Sequence, residues 1–128
     1  MPSLLHAILQ RADVRRAAEL GRVAVPSVPS GFPALDAELP GGGWPASALT
    51  EILPKHEGIG ELRLLGPALA RLAGAGRCLA WIAPPHLPYA PALAAAGIDL
   101  ERLLIVRTGS AQETLWATEQ ALRAGVCD

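Results

Sequence analysis

Apolar positions come in helix-type stripes and short strand-type runs, separated by Gly and Pro. Leu5, Ile8, Leu9 and Ala12 share one side of a helical wheel, while Arg11, Arg15 and Arg16 lie largely elsewhere, predicting an amphipathic helix over Leu4–Leu20 that Gly21 ends. Pro26 and Pro29 disfavour helix in their neighbours and make Val23–Pro29 extended. Ser30–Asp36 reads as a turn entering a short helix, and Pro40-Gly41-Gly42-Gly43-Trp44-Pro45 breaks the chain. Ala48–Leu53 is the first strand candidate. Leu62, Leu65, Leu69 and Leu72 then form one stripe of a helix over Glu61–Ala73, in which Pro67 marks a kink or the true start.

Arg77–Ala83 is a nearly continuous apolar run, as expected of a strand covered on both faces. Tyr89–Ala96 reads as a short helix with Pro91 in its first turn and Gly97 as its stop. Leu103–Arg107 is the third strand. Ser110 and Glu113 form a capping box opening a last helix, with Leu115, Thr118 and Leu122 on one face and Gly125 at its end. Strand and helix alternate three times, the signature of an α/β fold with a parallel sheet. Trp81 and Trp116 are expected in its core.

Composition narrows this picture. At 128 residues, 51% hydrophobic and 18% charged, the chain suits one small domain with a core rather than a disordered tail. Thirteen Gly and 12 Pro keep its elements short. Eleven basic against twelve acidic residues leave a formal charge of −1, so nothing global points to nucleic acid. Cys78 and Cys127 are far apart, and with His6, His56 and His86 scattered they make neither a disulfide framework nor a metal site; a reduced, cytoplasmic setting is expected. No secretory signal is visible. The stretch from Cys78 to Ile98 is nearly uncharged, but Pro84, Pro85, Pro88 and Pro91 divide it, which excludes a membrane span and hence a membrane partner.

The candidate chemistry lies after the first strand, in the slot where an open α/β sheet binds ligands. A phosphate loop needs inward backbone N–H groups, a Lys for the phosphates and a Ser or Thr hydroxyl for magnesium. Pro54–Glu61 supplies Gly58 and Gly60, but Glu61 and Leu62 stand where the cation and the hydroxyl belong. Lys55, the only lysine, sits at the opposite end of the loop. This is a degenerate phosphate loop, with no catalytic residue, cofactor or metal expected. Trp44, in its Gly-Pro loop, is a candidate partner anchor. Arg11, Arg15 and Arg16 are further candidate partner contacts on a face otherwise simply solvated; with Arg22 they form a local basic patch that, lacking interleaved aromatics, supports only a weak single-stranded DNA contact.

Several stretches resemble the SulA/ImuA family of RecA-related proteins, the amino-terminal part of its ImuA branch in particular. They are Pro29–Pro45 (P-S-G-F-P-A-L-D-A-E-L-P-G-G-G-W-P), Ala48–Leu53, Gly58–Leu65 (G-I-G-E-L-R-L-L), Trp81–Asp99 (containing A-P-P-H-L-P-Y-A) and Leu115–Gly125. The resemblance implies a partial RecA-like P-loop-type fold, three-layer α/β/α with a parallel sheet, truncated before the later core strands. Residues 1–22 would be an amino-terminal helix and 23–128 the incomplete α/β domain. In such sheets later strands lie between the first strand and the other two, so the resemblance also implies unpaired edges and self-association through them. The position of the water-polarising glutamate of RecA-like ATPases falls on Pro85. Where the family often has an Arg-Gly-like turn stand Ala46 and Ser47, and Ser47 suits a positive φ poorly. The resemblance further implies a non-catalytic accessory protein of SOS-response translesion synthesis, working with the polymerase-like protein ImuB and with RecA. The alternative is a SulA-like division inhibitor binding the tubulin-like division protein.

Overall fold

The computed structural model describes residues 4–11 and 26–125. Two compact units divide the chain, Met1–Thr50 and Glu51–Asp128.

In the first unit, α1 spans Leu4–Leu9 and gives way to a turn at Gln10; the remainder of the helix expected to Leu20, with Arg15 and Arg16, lies outside the described residues. Two short strands, β1 (Ser27–Val28) and β2 (Trp44–Pro45), pair antiparallel with Val28 opposite Trp44. The Gly-rich stretch therefore does more than break the chain: it turns back so that Gly43 lies against the Val28 backbone, where a side chain would collide with the carbonyl. Between the strands, α2 (Pro33–Glu38) starts on a proline, whose missing N–H costs nothing in a first turn. Asp36 reaches back to accept from the N–H of Ser30 (2.9 Å), a fully buried polar residue. Ser47 adopts φ 55° despite its side chain.

The second unit is built on one parallel pair. β3 (Leu79–Ile82) and β4 (Leu103–Val106) are in register from Leu79↔Leu103 to Ile82↔Val106, joined through α4 (Ala90–Ala95) and a single 3₁₀ turn at Leu100–Arg102. α3 (Glu61–Gly74) and α5 (Ala111–Ala124) both pack against β3. Ala73, Leu79 and Ile98 form the buried centre, with Leu69, Leu72, Leu93 and Leu103 against it. α3 runs unbroken from Glu61 with Pro67 inside, so the proline withdraws one helical donor without marking the start. Gly97 at φ 85° ends α4, and the N–H of Ile98 closes onto the Leu93 carbonyl (3.1 Å), which delivers Ile98 to the core.

Three expectations are corrected. Ala48–Leu53 is not a strand: residues 49–54 carry no regular structure, with Leu49 97% and Leu53 79% exposed, and among the described residues no strand satisfies their backbone. In place of a single parallel, three-layer sheet the described residues form one antiparallel and one parallel two-stranded pair, a small α/β arrangement with mixed pairing. Trp116 is 64% exposed and outside the core, since α5 buries none of its residues. Trp81, by contrast, is half-buried on β3.

Candidate functional site

The loop leading into α3 is built by two glycines. Gly58 at φ 77° and Gly60 at φ 117° occupy left-handed backbone closed to most side chains, and they turn successive N–H groups toward one point. Gly60 is the N-cap of α3 and has no side chain to satisfy the open helix end. The carboxylate of Glu61 does so instead. The N–H of Gly58 donates to its Oε1 (2.9 Å) and the N–H of Gly60 to its Oε2 (3.1 Å). Glu61's own backbone N–H and that of Gly58, then those of Gly60 and Ile59, hold the carboxyl below the usual glutamate range, against an opposing desolvation. The helix dipole acts in the same direction.

This arrangement is a backbone nest whose anion is supplied by the chain's own Glu61. Glu61 puts a repulsive charge at the cation position, and the same charge already occupies the donors. An incoming phosphate has to displace Glu61 and then finds no ammonium from the following residue and no hydroxyl from Leu62. A nucleotide with magnesium therefore does not fit these residues. Leu62 itself is 43% exposed and borders apolar clefts on α3.

Just past β3 the N–H of Ala83 donates to the Val106 carbonyl (2.8 Å), and Ala83 takes φ 49° as the chain turns into Pro84 and Pro85. Pro85 and His86 are exposed, and at Pro85 no side-chain oxygen is present to orient water. Among the described residues no group of three or more His, Cys, Asp or Glu could hold a metal ion, and no helix is long and apolar enough to cross a membrane.

The other site residues lie apart from this loop along the chain, in the first unit. Trp44 is half-buried on β2, its indole Nε1 buried without a hydrogen-bond partner. Arg11 is exposed just beyond α1. The structure thus brings together Gly58, Gly60 and Glu61 from the expected set.

Two features escaped sequence reasoning. One is a groove of about 470 Å³ between α3 and α4, passing over Gly66 and bordered by Leu62, Arg63, Ala92 and Leu93. Its signal was a glycine in mid-helix, costly unless its missing side chain serves a purpose. The other is the exposed apolar stripe Leu115, Trp116 and Leu122 on α5, which a helical wheel assigns to a core.

No family model matches the chain. It is 29% identical over 118 residues to the RecA protein of Picosynechococcus sp., covering 92% of this chain and 33% of that protein. RecA of Symbiobacterium thermophilum is 30% identical over 118 residues, with 90% and 33% covered. The cell division inhibitor SulA of Edwardsiella piscicida is 37% identical over 62 residues, with 48% and 37% covered. The chain spans about a third of the length of these curated relatives.

Proposed function

We propose that this chain, a homologue of RecA and SulA proteins, is a non-catalytic accessory protein of SOS-response translesion DNA synthesis and repair, acting by protein contact. The observation carrying the reading is the Glu61 carboxylate seated on the Gly58 and Gly60 N–H groups. A RecA-like loop that supplies its own anion keeps the shape of a nucleotide site without needing the nucleotide. What such a scaffold retains is surface, and this one exposes large apolar side chains at Leu49, Leu53, Leu115, Trp116 and Leu122. Following the ImuA-type resemblance, the partners are the polymerase-like protein ImuB and RecA, in the cytoplasm.

Similarity to SulA favours a second reading, a division inhibitor that binds the tubulin-like division protein. Co-purification of the tagged chain with each candidate separates the two. Retention of ImuB or RecA supports the accessory role, and retention of the division protein alone transfers the assignment to the second. Calorimetry with ATP and magnesium tests the common premise. No binding heat is expected, and tight magnesium-dependent binding overturns both readings.

A further inference from the structure

We propose that the groove between α3 and α4 is a self-association site, and that it receives residues 49–53 of a second copy of this chain. The groove has the volume of a ligand-sized cleft, about 470 Å³, and its walls are almost wholly apolar. Its floor is Gly66. That residue is buried, yet a Cβ built on it meets nothing within 4 Å, so the space above it is open. Ala92 and Ala96 on α4 keep the facing wall low. Pro67 withdraws the helical donor from the Arg63 carbonyl on the same stretch of α3.

One charge interrupts this surface. Arg63 borders the groove, is exposed, and makes no ion pair among the described residues. The occupant that matches is an extended apolar segment carrying one acidic residue. Leu49-Thr50-Glu51-Ile52-Leu53 is such a segment. Its leucines are 97% and 79% exposed, its backbone is in no helix or ladder, and Glu51 is exposed and unpaired among the described residues. The apolar stripe of α5 is the rival occupant, but its Glu119 is already taken by Arg123 at 2.9 Å. Each copy carries both the groove and the segment, so the proposed exchange is reciprocal, a two-fold dimer in which Arg63 of each copy faces Glu51 of the other.

The test is sedimentation equilibrium of the full chain over a wide concentration range, with charge reversals. A reversible dimer is expected. Arg63→Glu and Glu51→Arg should each weaken it by about tenfold or more, since like charges then meet across the contact. The double variant carrying both reversals should restore it. Gly66→Leu should weaken the dimer as strongly by filling the floor, with helical circular dichroism retained because leucine favours helix over glycine. A monomer at every concentration overturns the proposal. So does a dimer indifferent to Arg63→Glu and Gly66→Leu, and so does a double variant no better than its parents.

Discussion

Two helices of this chain have the same length and opposite circumstances. α3 and α5 each run for 14 residues and each carry in the first turn a glutamate whose carboxylate accepts from backbone N–H of the preceding loop. At α5 the work is done locally. Ser110 accepts from the N–H of Glu113 (3.2 Å), and the Glu113 carboxylate accepts from the N–H of Gly109 (2.6 Å). At α3 no side chain stands at the N-cap, and two glycines at positive φ fold the preceding loop around Glu61. α3 buries Gly66, Ala68 and Ala73, whereas α5 buries nothing. The contrast separates two ways to start a helix. A capping box stabilises an end whatever lies before it, while a glycine nest commits the preceding loop to one anion.

The largest expected effect tests the burial side of that contrast. Leu79 is 3% exposed at the centre of the second unit, so Leu79→Ala should cost about 2–4 kcal/mol in chemical denaturation. Leu122→Ala on the 76% exposed face of α5 should stay within about 0.5 kcal/mol. A comparable loss at Leu122 would mean that α5 is covered in solution.

Next comes the conformational side. Gly60→Ala meets no atom within 4 Å, so its cost is the left-handed backbone alone, about 1–2 kcal/mol. The paired experiment at α5 is Ser110→Ala, which removes the cap oxygen and should cost about 1 kcal/mol. Both are measured by urea midpoints at unchanged slope. Equal insensitivity at Gly60 would show that the loop does not hold this conformation.

How far these features were legible in the sequence follows from how local their causes are. The capping box, the Gly97 stop and the strands at Leu79–Ile82 and Leu103–Val106 are set by neighbouring residues and were read within a residue or two of their bounds. Ala48–Leu53 departs from its expected strand because a strand is a property of a pair, and its apolar run finds no partner among the described residues. Trp116 failed for a related reason, since periodicity identifies the apolar side of a helix but not whether anything lies against it. In the loop, sequence logic found the misplaced carboxylate at Glu61. It missed that the side chain curls back onto Gly58 and Gly60, because that depends on backbone angles that a glycine permits but does not announce.

The smallest expected effect sharpens the comparison most, because it follows proton binding at Glu61 itself. The Glu61 carboxyl is held below the usual glutamate range by its own N–H and that of Gly58, then by Gly60 and Ile59, with desolvation opposing. A carboxyl whose folded value is depressed binds its proton less readily in the native state than in the unfolded chain. Its stabilising contribution is therefore complete above the ordinary glutamate value, about 4.3, and is lost as the pH falls through the lower folded value. The readout is local: carboxyl chemical shifts followed through an acid titration, with amide signals of Gly58 and Gly60 moving at the same midpoint. Glu61→Gln should abolish that transition and leave the Gly109 amide in place, since Gly109 donates to Glu113 and not to Glu61. If the Gly58 and Gly60 amides instead titrate unchanged in Glu61→Gln, another anion sits on them, and the loop is not closed by its own side chain.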